Sequence, residues 1–454
     1  MTLSHELAEY IAATGYEDIP AEVIAKGKDC ILDSLGNALY GLSFEASRIA
    51  MDVLCGETPS GKGAAVLGTA YRAPAWTAAF VNGVTAHVAD YDDTLVSLNG
   101  HPSCVMMPAS LAANETSGGD GRSFLTAYVV GCEIAGKLGL AMGAGHHRQG
   151  WHPTATLGAI GAAASASRAL NLPCEKVVNA LGIATSCASG LRINFGSMTK
   201  SLHAGNAAMK GVLAAQLAEK GFTASPSALE GEAGFAGVFG ASGDLSSVPG
   251  TLGKNYVLNH IMLKPYPSCA GTHPAVDAVL KMLGEGGLDF KDIDRIEVVG
   301  RPVLGSVLIH RNPRTPLEAK FSMEYCVACA MVSGCLGIAQ FHEDVLFDLE
   351  VRDLMDRVHL VLDEDMERVA AGRGILSPAR VRVRSHGGDE FTETVLEARG
   401  GPSNPMSRLE IHAKFRECAG RLLPESRVKE VLKIVDNLED LDRLDALTSI
   451  LFVS

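Results

Sequence analysis

The stretch 159–167 consists almost wholly of Ala, Gly and Ser, and several other helical stretches in the first 260 residues or so share that composition. A helix that lacks a polar stripe is buried on every side, and one without bulky side chains lets neighbouring backbones come close. Several such helices in one chain must stack in layers, because a single ring would leave them exposed. Glycine, at 49 of 454 residues against a usual share of about 7%, and aromatics at only 6% agree with a core filled by small side chains. The length allows about three domains of roughly 150 residues, or two large ones.

Helical spacing is explicit from Pro20, which suits a first helical position, through Ile24, Ile31, Leu35, Ala38 and Leu42. The same reading predicts helices over 75–87, 123–139, 154–170, 174–186 and 204–220. After about Lys264 the pattern changes, and 295–299, 358–362, 380–384 and 391–398 read as strands. The last two flank Ser385-His386-Gly387-Gly388-Asp389, a hairpin composition. An antiparallel sheet with helices on one side follows. Beyond Gly400-Gly401-Pro402 helical spacing returns, with Leu438, Leu441 and Leu444 on one face. The expected fold is mostly α with a second α+β domain: residues 1–263 and 401–454 form a large, discontinuous helical domain, and residues 264–400 a smaller antiparallel-sheet domain.

The charge count, 39 − 52 = −13, excludes a phosphate-coating surface, so nucleic acid is not an expected partner. Glu6 and Glu9 break the basic-then-apolar pattern of a secretory signal. Eleven cysteines, an odd number without regular spacing, fit free thiols in a reducing compartment, and the expected location is cytoplasmic. The longest uncharged apolar stretch, 325–341, is shorter than the roughly 20 residues that span a bilayer. It reads as a buried helix, and no membrane partner is expected.

Several motifs fail on inspection. Residues 56–63 nearly spell a phosphate-binding loop, but Gly63 stands where magnesium needs Ser or Thr. Cys326 and Cys329 form a lone CxxC in an apolar stretch, which reads as core packing. His146, His147 and His152, or Asp90, Asp92 and Asp93, could ligate a metal. On a continuous helix, however, His87, Asp90 and Thr94 share one face while Asp92 points nearly opposite, so the carboxylates do not converge.

The dipeptide His-Pro carries more. It occurs at His101-Pro102, His152-Pro153 and His273-Pro274, where composition alone gives about 0.6 occurrences. Each precedes a helical segment, which places the histidine at or just before the cap. There the helix dipole disfavours imidazolium and favours an anion, so the ring stays neutral and able to act as a base. Lys200 and Lys264 lie in largely uncharged surroundings, and Arg192 lies in the same small-residue region as Lys200. Neutral histidines, a pocket-facing Asp90 and these cations point to acid-base chemistry on a small di- or tricarboxylate.

The chain resembles the MmgE/PrpD family, which includes 2-methylcitrate dehydratases, cis-aconitate decarboxylases and iminodisuccinate epimerases. The resemblance rests on Phe80-Val81-Asn82-Gly83 leading to His87, Asp90-Tyr91-Asp92-Asp93-Thr94, Gly100-His101-Pro102-Ser103 and Gly150-Trp151-His152-Pro153-Thr154. It continues through Met198-Thr199-Lys200-Ser201-Leu202-His203-Ala204-Gly205-Asn206, Lys264-Pro265-Tyr266-Pro267-Ser268-Cys269 and Asn404-Pro405-Met406-Ser407. It implies an active site between the two domains, a homodimer and no cofactor.

The site expected from residues and resemblance together has Asp90, His101, His152 and Lys200 as catalytic groups. Thr94, Arg192, His203, Lys264, Tyr266, Cys269 and His273 are expected to bind substrate, with no metal. The resembling decarboxylases have a histidine where this chain has Cys269, and the methylcitrate dehydratases tend to carry an arginine just after it, where Ala270-Gly271 stands. Around Gly150-Trp151-His152, Asn194-Phe195-Gly196, Pro313-Arg314-Thr315 and Glu318-Ala319-Lys320-Phe321-Ser322 the wording is closer to the epimerases. All these reactions can share one opening step, removal of a proton α to a carboxylate. The expected activity is a dehydratase-type lyase, followed in order by an iminodisuccinate-type epimerase, an aconitate-type decarboxylase and a non-catalytic carboxylate-binding protein.

Overall fold

Proline sets where many of the helices begin. Lacking an N–H and fixed in φ, it costs nothing at a helix start. Pro20, Pro74, Pro102 and Pro173 occupy cap positions and Pro153 opens a helix. The computed structural model describes residues 2–54, 63–240, 242, 244–286, 288–373 and 377–452; all of the near phosphate loop except Gly63 lies outside them. Its first half is helical: α1 (Leu3–Ala13), α2 (Ala21–Gly41), α3 (Glu45–Leu54), α4 (Ala75–His87), α5 (Ser103–Ser117), α6 (Gly121–Arg148), α7 (Pro153–Ala169), α8 (Cys174–Cys187) and α9 (Thr199–Glu219). Helix α9 starts at Thr199 rather than at 204, which brings Lys200 and His203 onto it.

The small residues do what their pattern implies. A Cβ built on Gly205 of α9 would lie 2.4 Å from the Phe80 carbonyl of α4, and one on Gly211 2.3 Å from Ala162 Cβ of α7. Helices α4 and α9 are therefore almost in backbone contact. They run in opposite directions, so His87 at the end of α4 meets Lys200 at the start of α9. Helix α6 is long and apolar enough to cross a membrane by length and composition, but 94% of its most apolar window is buried within the protein.

The second half begins with α10 (His273–Glu285) and α11 (Met323–Ser333). They pack against a four-stranded sheet of β1 (Ile293–Gly300), β2 (Val358–Leu362), β3 (Ala379–Ser385) and β4 (Glu390–Val395). Strand β3 turns Ala379, Val381 and Val383 inward, with Arg382 and Arg384 exposed on the other face. The spatial order is β2-β1-β3-β4, and β3 and β4 form the hairpin read from the sequence. The sheet is not wholly antiparallel: β2 runs parallel to β1, with Val358 opposite Ile296. The helices between them carry the chain back to its starting end, as a parallel pair requires. The apolar stretch 325–341 is α-helical only to Ser333, where Gly334 turns left-handed at φ 66°, and ends in a short 3-10 helix, Ile338–Phe341.

The chain then returns to the first half. Helices α12 (Arg408–Ala419) and α13 (Glu425–Asp436) add Ile411, Phe415, Val428 and Val431 to the helical core, and α12 lies along α2.

The Gly205–Phe80 approach involves main chain that cannot rotate away. Gly205→Ala is therefore expected to lower the free energy of unfolding by about 1–3 kcal/mol. Gly284→Ala, where nothing lies within 4 Å of the added methyl, is expected to be neutral or stabilising by about 0.4–1 kcal/mol. Urea unfolding of the two variants measures the difference, and equal effects would contradict the close approach.

Candidate active site

All three His-Pro histidines stand at helix starts, as expected. His101 directly precedes the α5 cap Pro102, His152 caps α7, and His273 opens α10. Two of them reach a common space. A cavity of roughly 550 Å³ lies between the helical part and the sheet part, and its wall includes Asp90, Thr94, His101, His152, Arg192, Lys200 and Cys269. Gly271, Leu304 and Phe321 face it from the sheet side.

The helical phase expected for 87–94 does not hold. Helix α4 ends at His87, and Asp90 adopts a left-handed backbone, φ 51°, that non-glycine residues seldom take. The chain turns there, and Asp92 points inward. Its Oδ2 lies 2.8 Å from His87 Nδ1 and 3.6 Å from His101 Nδ1. A carboxylate only accepts, so His87 carries its proton on Nδ1 and accepts through Nε2 from Lys200 Nζ at 3.0 Å. Lys200 also donates to Asp90 Oδ1 at 2.6 Å. Lys264, wholly buried, donates to the Asp90 carbonyl at 2.9 Å and stands 3.3 Å from Asp90 Oδ1.

Burial alone would raise the Asp90 pKa, but Lys200 and Lys264, helped by His101 and His87, hold it well below the usual carboxylate range. Burial likewise works against ionised Asp92 and is outweighed by His87 and His101. Burial works against the Lys264 ammonium, and Asp90 and Asp92 reverse it, leaving Lys264 above its ordinary value. Asp93 differs. Burial pushes it up to about 8 against the lowering hydrogen bond from Ser103, with Asp92 and Asp33 adding repulsion. Its backbone carbonyl accepts from His101 Nδ1 at 2.7 Å, and Ser103 N donates to its Oδ1 at 3.2 Å.

This carbonyl fixes the tautomer of His101. A carbonyl cannot donate, so Nδ1 carries the hydrogen and Nε2 keeps its lone pair. His101 N donates to Thr154 Oγ1 at 3.0 Å, and Thr94 Oγ1 lies 3.4 Å from His101 Nδ1. His152 Nδ1 is 3.0 Å from His203 Nδ1, which leaves Nε2 as the unengaged nitrogen of His152. Both rings are held well below the usual imidazole value. Burial is the largest cause for each. For His101 the Asp92 charge opposes burial while Lys200 and Lys264 add to it, and for His152 Lys200 and His203 add to burial. His203 falls to about 4, chiefly by burial.

Around this centre, Arg192 Nη1 donates to His147 Nδ1 at 3.0 Å. Burial, then the Arg192 charge, brings His147 down to about 4. The Cys269 thiol is pushed up by burial and stays protonated. Lys320 Nζ donates to the Pro267 carbonyl at 2.7 Å, and burial brings its pKa down to about 7. The rings of Phe195 and Phe321 lie 5.6 and 5.4 Å from Lys200 Nζ.

Four expected substrate-binding residues do not border the cavity. His203 stands behind His152, and Lys264 acts through Asp90. Tyr266 turns its hydroxyl to Asp277 Oδ1 at 2.5 Å, and His273 directs Nε2 at the Ser268 carbonyl, 3.2 Å away. Nor do His146, His147 and His152 form a cluster: His146 is tied to the Phe239 carbonyl and Thr156, His147 to Arg192, and His152 to His203. Among the described residues, two sets have ligand atoms close enough to share a metal: His87, His101 and His152, and His87, Asp90, Asp92 and His101. Both nitrogens of His87 are already engaged, and Asp90 is paired with the two adjoining ammonium groups. The site expected from the sequence does not include His87, Asp92, His147 or Lys320; His147 and Asp92 enter that reading only as possible metal ligands. The five-residue spacing of His87 and Asp92 was the available signal, and the helical reading hid it.

Comparison with known proteins supplies the wider setting. Residues 5–247 match the MmgE/PrpD N-terminal domain and residues 266–440 the MmgE/PrpD C-terminal domain. The chain is 32% identical to the cis-aconitate decarboxylase of Homo sapiens over 450 residues, covering 94% of this chain and 90% of that one. It is 27% identical to the cis-aconitate decarboxylase of Aspergillus terreus, covering 99% and 96%. With the 2-methylcitrate dehydratase of Salmonella typhimurium it shares 25% identity over 81% of this chain and 80% of that one. The chain belongs to the MmgE/PrpD family.

Proposed function

We propose that the protein is a cofactor-independent lyase that dehydrates a small di- or tricarboxylate after removing a proton α to a carboxylate. The observation that carries this reading is His101: neutral, locked in one tautomer by the Asp93 carbonyl, with its remaining nitrogen at a cavity that also presents Lys200 and Arg192. The dehydratase and decarboxylase relatives are lyases, which supports the reaction class.

The geometry supports the following steps. Lys200 has three N–H groups, and Asp90 and His87 engage two of them; the third and the Arg192 guanidinium receive substrate carboxylates. His101 Nε2 takes the α-proton, and the C–H electron pair moves into an enolate-like carboxylate stabilised by Lys200. Lys264, through Asp90, adds positive potential without touching substrate. The electron pair returns to form the double bond as the β-hydroxyl departs as water with the proton that His101 removed, while the His152 Nε2 proton hydrogen-bonds it. His203 donating from Nδ1 to His152 Nδ1 keeps that proton on Nε2. The exposed apolar side chains Leu191, Ile193 and Leu202 support a homodimer.

A second reading, epimerisation, is favoured by one observation: the His101 and His152 rings approach edge to face with centroids 6.3 Å apart, and each keeps a free nitrogen. Removal of a proton by one, and delivery of a different proton on the opposite face by the other in its protonated form, would invert the carbon.

Incubation in heavy water with 2-methylcitrate, citrate, cis-aconitate and iminodisuccinate, followed by proton NMR, tests the reaction. Dehydration yields an alkene. Epimerisation labels the α-carbon and equilibrates enantiomers, and decarboxylation leaves deuterium in a product one carbon shorter. His101→Ala and His152→Ala should each slow turnover by roughly 10²- to 10⁴-fold. Wild-type rates in both variants would remove these residues from the proton transfer, and the absence of any turnover in the wild type would favour a binding protein.

The pH dependence follows from the lowered His101 pKa. The base is active when neutral, so activity is lost only as pH falls through that lowered value. The acid limb of kcat/KM should lie below pH 6.5, the ordinary imidazole value; a limb at or above it contradicts the assignment. Lys200→Met should weaken substrate binding by about 1.5–3 kcal/mol, the value of a charge-assisted bond, read as a rise in KM. An unchanged KM and kcat would place Lys200 outside the site.

A further inference from the structure

We propose that Lys414, on the C-terminal helix α12, is a positioning residue of the active site, holding the main chain on both sides of the Asp90–Lys264 contact. It is buried, with 5% exposure. Its Nζ donates to the Tyr91 carbonyl at 2.7 Å and to the Lys264 carbonyl at 2.9 Å, and it forms an ion pair with Asp33 Oδ1 of α2 at 2.6 Å. It also lies 3.8 Å from the centroid of the Tyr91 ring, whose hydroxyl donates to the Pro265 carbonyl at 3.1 Å.

These contacts close a ring. Lys414 holds Lys264 and Tyr91, Tyr91 follows Asp90 in the chain, and Lys264 Nζ holds the Asp90 carbonyl. Within the ring Asp90 keeps its left-handed backbone, a conformation that persists where the surroundings over-determine it. Three oxygens surround Lys414 Nζ within 2.9 Å, two as hydrogen-bond acceptors and Asp33 Oδ1 as an ion-pair partner, so no room is left for a ligand. Its action on the substrate is therefore indirect: it sets where Asp90 and Lys264 stand, and through Asp90 where Lys200 stands. Arg would not replace it, because a planar guanidinium cannot direct its donors at three oxygens around one nitrogen.

The proposal rests on the proton-transfer reading for its activity readout. Full-length Asp33→Asn, Lys414→Met and the double variant Asp33→Asn/Lys414→Met are compared by thermal unfolding and by steady-state kinetics with whichever acid the wild type converts. Asp33→Asn removes the ion pair but leaves both carbonyl bonds; it should lower the unfolding temperature and keep kcat within about a factor of three. Lys414→Met and the double variant, assayed well below their unfolding temperatures, should lose about 10- to 100-fold, carried mainly by kcat, as a small misplacement of catalytic groups does. The double variant avoids an unpaired buried carboxylate. A folded Met variant with wild-type kcat overturns the proposal. So does failure of both Met variants to fold, which would make the ammonium a requirement of folding rather than of the site. If the wild type converts no acid, the proposed reaction fails by itself; citrate affinity, measured by calorimetry, then replaces kcat, and equal affinity in wild type and folded Met variants overturns the positioning role.

Discussion

A single carboxylate between two buried ammonium groups organises this protein. Asp90 meets Lys200 at 2.6 Å and Lys264 at 3.3 Å where water is nearly excluded. Removing three charges from water is costly, and mutual attraction offsets the cost only with close geometry and further hydrogen bonds. The fold provides both. Close packing of α4 on α9 brings His87 beside Lys200, and the turn at Asp90 lets Asp92 reach His87 and His101. Without those contacts the cations would repel one another across the space that an anionic substrate would enter.

The neutrality of the histidines has a different origin from the one their position at helix starts implies. The helix dipole is worth up to about 2 kcal/mol at partly buried termini. In this site burial is the largest cause for His101, His152 and His203, and neighbouring lysines add to it. The helix starts act mainly as mounts, aiming each ring. The backbone carbonyl of Asp93 and the ring of His203 then decide which nitrogen remains free.

What could be read from the sequence was local. His-Pro marks a helix start because proline acts on its own residue and the one before it, so the settings of His101, His152 and His273 were legible, as was the succession of small-residue helices. Asp92 was misread because a helical phase was extended through Asp90, and a left-handed aspartate is a tertiary outcome rather than a propensity. The parallel β1–β2 pair was missed because strand direction depends on the path of the intervening helices. His273 resembled the other two histidines in every local respect, yet it faces the Ser268 carbonyl rather than the cavity. Nothing near Lys414 in the sequence points to Tyr91, its hydrogen-bond partner 323 residues away.

That long separation bears on how the protein is made. Nearly all the groups around Asp90 leave the ribosome well before α12, so the nascent helical layers can assemble while the turn at Asp90 still lacks one of its anchors. Closing a loop of several hundred residues costs little more than closing one of half the length, because the entropy grows only with the logarithm of length. The delay is therefore one of synthesis rather than of search. Until α12 docks, the ring around Asp90 is open, and Lys414 is the last-made of the residues that close it.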